Sequence, residues 1–240
     1  MGSSKFLLSL FFILFFTKIY SQEKKVAVVT FYADKRVGMK ELGLESTADL
    51  IKLEEDPNFN MAPLLRNFHD QFFGEYAKSF PFQLVPEPQV LNNEEYKAFI
   101  PDGRPTVTND MRYTAIEGYK VIDYMWGTSN EKNLVKIFNQ YDGVMFVFLS
   151  FAFETGIAFG GTGTVKVNAF AHIILVDKNG KKVFSIGENA RSKKTSAMVK
   201  GIPIMKPEKI LPMCESALTE LISDLQKNIP KIIKKTEAKL

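Results

Sequence analysis

The chain has 240 residues, with 31 Lys or Arg against 27 Asp or Glu for a formal net charge of +4, and it carries one cysteine and two histidines. So small a balance is not the basic footprint of a nucleic-acid binder, and one cysteine excludes an intramolecular disulfide framework. Two histidines about a hundred residues apart have no partner at metal-ligand spacing.

Met1 to Lys5 carries one positive charge, Phe6 to Phe16 is almost purely apolar, and Thr17 to Ser21 turns polar and small. This is the three-part pattern of a secretory signal peptide, with cleavage predicted near Ser21/Gln22. The apolar stretch is short for a spanning helix, which needs about 20 residues. Without residues 1–21 the chain loses Lys5 and Lys18, and its formal balance falls to two positive charges. No cysteine stands near the predicted cut, so a lipid-modified amino terminus is not expected. The predicted localisation is periplasmic or secreted, with residues 22–240 forming a single α/β domain of ordinary size.

"VAVVTFY", Val26 to Tyr32, has the β-branched and aromatic character of a buried first strand. Ala33 to Phe59 is polar and broken by Gly38, Gly43 and Pro57, and it reads as an excursion from the domain edge. Asn60 can cap a helix in which Met61, Leu64, Leu65, Phe68, Phe72 and Tyr76 share one face. His69 lies beside that stripe and reads as a packed or surface residue. Phe80 to Pro86 then predicts a second strand, so the chain opens as a βαβ unit with a parallel pair.

Between Glu87 and Gln140 the pattern predicts helices and no strand: "NNEEYKAF", a longer one in "NDMRYTAIEGYKVIDYM" after Asn109, and "TSNEKNLVKIFNQY" behind the capping box of Thr128 and Glu131. Trp126 reads as a packing anchor. Val144 to Phe153 is apolar on both alternating sets, as a strand covered on both faces is. After a glycine-rich stretch, Val165, Val167, Ala169, Ala171, Ile173 and Leu175 fall on one face of the next strand, with Lys166, Asn168 and His172 on the other. Asp177 to Gly180 predicts a tight turn into "KKVFSIGENA". The fold class is therefore α/β, a three-layer domain whose mixed sheet ends in an antiparallel three-stranded meander. A closing helix over "KPEKILPMCESALTELISDLQKNI" carries Cys214, Leu218, Leu221 and Leu225 on its apolar stripe, and Pro230 is expected to stop it. Residues 230–240, rich in lysine, read as a frayed solvated tail.

The chemistry is sparse. Gly156 to Thr162 reads G-x-x-x-x-G-T, one lysine short of a P-loop, and the residues after it alternate with period two. A phosphate cradle needs N–H groups converging at a helix N-terminus, so no nucleotide and no other cofactor is expected. No G-x-S-x-G elbow is present, and Cys214 on an apolar stripe reads as a buried, inert thiol. Asp142 and Glu154, twelve residues apart on one strand, would stand about 40 Å apart, too far for an acid and base pair. No catalytic residue and no metal site is assigned, and no enzyme activity is expected.

The opening "KKVAVVTFY", the helix leading into "FQLVPEPQVL", the strand "YDGVMFVFLS" and "VNAFAHIILVDKNGKKVFS" occur in an order that resembles the periplasmic modules typified by the amino-terminal domain of TolB, the curli secretion lipoprotein CsgG and the penicillin-binding-protein activator LpoB. The resemblance implies an α/β domain that docks or assembles in a bacterial cell envelope without catalysis, with a protein partner or a second copy. This chain lacks a lipobox cysteine, and it offers one candidate membrane hairpin where a curli-type pore has two.

On this reading the chain is an exported, non-enzymatic envelope module, and the glycine-rich turn is a flexible tip whose Ile157, Phe159, Gly160 and Gly161 contact the partner. A peripheral membrane contact is a secondary expectation. The competing expectation is an enzyme or small-ligand binder using Thr30, Tyr32 and Asp34 at the carboxyl ends of the first strands.

Overall fold

The apolar runs that begin at Val26 and Val144 lie side by side and parallel, and the rest of the sheet is built outward from them. The computed structural model describes residues 23–38, 59–102, 112–122, 128–200, 202–204 and 207–240. Strand β1 (Lys25–Gly38) pairs with the strand Gly143–Phe159 from Val26 opposite Gly143 to Gly38 opposite Ala152. Its other edge carries β2 (Gln83–Leu84), parallel, at its start, and β3 (Tyr113–Ala115), antiparallel, at Tyr32 to Asp34. The strand Gly143–Phe159, β4, pairs antiparallel with β5 (Thr162–Asp177) along its length. The outer edge of β5 is shared: β6 (Lys182–Arg191) lies along Asn168 to Val176, and β7 (Ser196–Val199) along Gly163 to Val165. A last strand, β8 (Ile202–Ile204), pairs with β7 and completes an eight-stranded mixed sheet.

Successive side chains from Val26 to Val29 serve opposite layers, which is why that run is apolar at every step. Val26, Val28 and Phe31 meet helices α1 (Ala62–Gly74), α5 (Pro207–Leu225) and α6 (Ile229–Lys239), the last two joined by a 3₁₀ turn at Gln226–Asn228. Ala27 and Val29 meet the layer of α2 (Glu87–Leu91), α3 (Glu94–Ala98) and α4 (Thr128–Ile137), through Val90, Tyr96, Leu134 and Phe138. In the first layer the α1 stripe Leu64, Leu65, Phe68 and Phe72 is buried, and Phe72 sets its ring edge-on to Phe31 at 5.5 Å. Burying each such ring contributes roughly 1.5–3 kcal/mol. The three-layer α/β domain, its βαβ start and the β4–β5–β6 meander closed by a helix are all present.

Several elements differ from expectation, each for a physical reason. Strand β1 runs on to Gly38, so Ala33 to Gly38 belongs to the sheet, with Ala33 fully buried; residues 39–58 lie outside the described residues. The strand expected over Phe80 to Pro86 shrinks to two ladder residues, because Pro81 and Pro86 bring no N–H to it. The long helix expected after Asn109 is not formed over Tyr113 to Ala115. The free edge of β1 takes those residues as β3 instead, Tyr113 packs edge-on against Tyr32 at 5.4 Å, and Gly118 then turns with φ 87°. The polar stretch Arg191 to Gly201 contains β7, captured by the edge of β5. Pro230 ends nothing: it stands in the first turn of α6, where its missing N–H costs no helical bond. The tail expected to fray is thus a docked helix, with Ile232 fully buried and Lys231, Lys234 and Lys239 exposed. The signal-peptide segment and Trp126 lie outside the described residues.

Candidate functional site

The four glycines between the two long strands, Gly156, Gly160, Gly161 and Gly163, do separate jobs at one end of the sheet. Gly160 and Gly161 have φ 58° and 80° and form the two-residue turn between β4 and β5, the conformation that a tight hairpin demands at both central positions. Phe159 and Thr162 are the last ladder pair. Below them the register shifts between Thr155 and Ala158, so that Gly156 and Ile157 together oppose Thr164. The Thr164 hydroxyl accepts a 3.1 Å hydrogen bond from the Ile157 N–H, standing in for a missing ladder contact. Any Cβ at Gly156 would lie 2.5 Å from that hydroxyl, and one at Gly163 would lie 2.6 Å from the Ala158 Cα. Two glycines therefore permit close approach and two permit positive φ. Residues 162–177 continue as a strand, which offers no convergent N–H cradle for phosphate.

The result is a paired ribbon ending in exposed apolar side chains. Ile157 is 86% and Phe159 93% exposed. The predicted tip residues Ile157, Phe159, Gly160 and Gly161 are brought together here, at the end of a paired β-hairpin. A second turn stands beside the first. Strand β7 runs toward the same end, with Met198 opposite Gly163, and Lys200 (φ 53°) begins the return to β8. Val199, 39% exposed, and Lys200 therefore flank the hairpin tip. Neither was singled out from the sequence, although the alternation in "SAMVKGIPI" was a hairpin signal.

The other sequence candidates are dispersed. Thr30 is fully buried and donates a 2.6 Å hydrogen bond to the Lys120 carbonyl. Tyr32 packs between Tyr113 and Phe148, and the Asp34 carboxylate is paired with Arg112 at 2.9 Å. Asp142 stands just before β4 and Glu154 twelve residues on, inside the strand, the first accepting from the Lys25 N–H at 2.9 Å and the second held by Arg191. Cys214 is fully buried, and burial pushes its thiol pKa up. His172 is exposed on β5.

His69 joins a polar cluster that spacing did not reveal. Its Nε2 meets Glu87 Oε1 at 2.7 Å, its Nδ1 meets Asp70 Oδ1 at 3.2 Å, and the Tyr119 hydroxyl donates to Glu87 at 2.9 Å. Burial works against the imidazolium, but the hydrogen bonds and charges of Glu87 and Asp70 outweigh it, and the His69 pKa is raised. Glu87 also borders an open groove of about 470 Å³ along the β2 edge, lined by Phe73, Phe80, Phe82 and Lys78 among others. Among the described residues no group of three or more His, Cys, Asp or Glu is placed to hold a metal. Among the same residues no helix is long and apolar enough to cross a membrane.

No protein-family model matches the chain, and no curated protein matches it. Among solved structures it is similar to a chain described as a neuraminyllactose-binding hemagglutinin homolog from Helicobacter pylori, with 8% identity over 86% of each chain and a TM-score of 0.38. It is also similar to a lipoprotein from Neisseria meningitidis, with 15% identity over 84% of this chain and 99% of that one and a TM-score of 0.30.

Proposed function

We propose that the chain is an exported, non-enzymatic module of the cell envelope that docks to an envelope partner through the end of its β4–β5 hairpin. One observation carries the reading. Among the described residues four large apolar side chains are exposed, and three of them, Ile157, Phe159 and Val199, stand at the same end of one sheet. Leaving a Phe or Ile in water forgoes roughly 1.5–3 kcal/mol of burial each, and a cluster of such groups marks a contact surface. The bulge, the paired glycines and the companion strands β7 and β8 hold that cluster in place, as a docking element requires. The signal-peptide pattern of residues 1–21 supplies export, and the resemblance to the TolB, CsgG and LpoB type of module implies the same kind of role. The non-catalytic part of the reading draws on the sequence, which has no recognisable triad, nucleotide motif or metal spacing.

The test is co-sedimentation of the purified full chain with envelopes isolated from the source organism. The wild-type chain is expected in the pellet and the Ile157→Ser/Phe159→Ser double variant in the supernatant, with equal thermal melts because both side chains are exposed. Equal pelleting of the two would remove the tip as the docking element.

A further inference from the structure

We infer that the surface met by this end of the molecule is an anionic lipid bilayer. The inference rests on the tip being the contact element and names what it contacts. Strand order places two turns side by side, β4–β5 at Gly160–Gly161 and β7–β8 starting at Lys200. Four adjacent strands at a spacing of about 4.8 Å make an edge only about 15 Å across. A specific protein interface buries about 800 Å² on each partner, more than these four described strand ends present by themselves. Shallow insertion into a bilayer needs much less: a few apolar side chains at the headgroup boundary and cations beside them.

The residues present have that distribution. Phe159 and Ile157 lead, Val199 stands beside them, and the small or polar Gly160, Gly161, Thr162 and Thr164 surround them. No Asp or Glu occurs in Thr155 to Lys166 or in Lys193 to Lys200. Lysine does: Lys200 at the second turn, with Lys166 and Lys194 farther back. Each lysine near an anionic membrane surface adds attraction that salt screens. Along β4 the exposed apolar part is confined to the last few residues, whereas a spanning strand needs about 9–11 residues. Insertion is therefore shallow. The rest of β4 is core: Val144 to Val147, Leu149, Phe151 and Phe153 are buried.

The experiment is flotation of the full chain with protein-free vesicles of phosphatidylcholine, with and without about a third phosphatidylglycerol, at low and high salt. Comparing variants of the same chain cancels any contribution of residues 1–21. Wild type is expected to float with the anionic vesicles, and Ile157→Ser/Phe159→Ser to bind at least about tenfold more weakly. Lys200→Glu, which keeps the apolar tip, is expected to weaken anionic-vesicle binding about fivefold, and high salt to weaken the wild type similarly. Equal flotation of wild type and the double variant, or equal binding to neutral and anionic vesicles, would overturn the inference. Tip-dependent binding to isolated envelopes without binding to protein-free vesicles would overturn it too, while leaving the docking reading standing with a protein as partner. Tip-independence in both assays would remove both.

Discussion

His69 on α1 and Glu87 at the start of α2 meet side chain to side chain, Nε2 to Oε1, at 2.7 Å, and so tie helices from the two faces of the sheet to each other. Tyr119 completes the tie by donating to the same Glu87 oxygen. The His69 ring is further held edge-on to Phe31 at 5.1 Å.

This pair makes stability depend on pH in a definite direction. The His69 pKa is raised above 6.5, so its contribution is complete below about 6.5, the unfolded value, and is lost as pH climbs through the higher folded value. For Glu87, burial favours the neutral acid, but the hydrogen bonds from His69 and Tyr119 outweigh it and lower its pKa below 4.5. Its contribution is present above that ordinary value and is lost as pH falls through the folded one. His69→Ala is expected to cost about 2 kcal/mol near pH 6 and less near pH 9. Urea melts at the two pH values check this; an equal loss at both would mean that the ring acts by packing alone.

Gly163 is expected to tolerate no side chain. A Cβ there would press on the Ile157 carbonyl and on the Ala158 Cα across the bulge. Gly163→Ala should loosen the hairpin end by on the order of 2 kcal/mol. Amide hydrogen exchange across residues 155–165 should quicken while exchange in β1 does not change. Unaltered exchange at the tip would contradict the close approach.

Ile232 tests the docking of α6. Its side chain is fully buried in the first layer's core, so Ile232→Ala should cost about 2–5 kcal/mol. Exposed Lys234, on the same helix, should accept Ala with a change within about 0.5 kcal/mol. A chain indifferent to both substitutions would restore the picture of a frayed tail.

Cys214 should be silent in the folded protein. It is fully buried on α5 among Ala217, Leu218 and their neighbours, and burial raises its pKa. A thiol reagent at pH 8 is expected to label it only after denaturant is added, since the thiolate is the reactive form. Stoichiometric labelling of the native chain would show that α5 opens.

What could be read from sequence was whatever depends on local pattern. Val26 to Tyr32 and Val144 to Phe153 announced doubly covered strands because every position must meet apolar neighbours. Likewise Leu64 to Phe72 and Cys214 to Leu225 announced helices by their 3.6-residue spacing. The glycines around Phe159 marked a turn and its exposed tip. Where pattern and outcome part, an edge intervened: Tyr113 to Ala115 has helix-compatible spacing but was taken by the open side of β1, and Ser196 to Val199 became β7 because β5 extends beyond β6.

The chain alone thus determined the two-sided sheet, its main helices and an apolar hairpin tip. Only the tertiary structure decided that Val199 and Lys200 stand beside Phe159, that His69 meets Glu87 eighteen residues later, and that the lysine-rich end packs as a helix. The physical reason is that helix and buried-strand patterns are written in neighbouring residues. The pairing of a free strand edge, or of two side chains from different layers, is set by which surfaces remain to be satisfied once the core has formed.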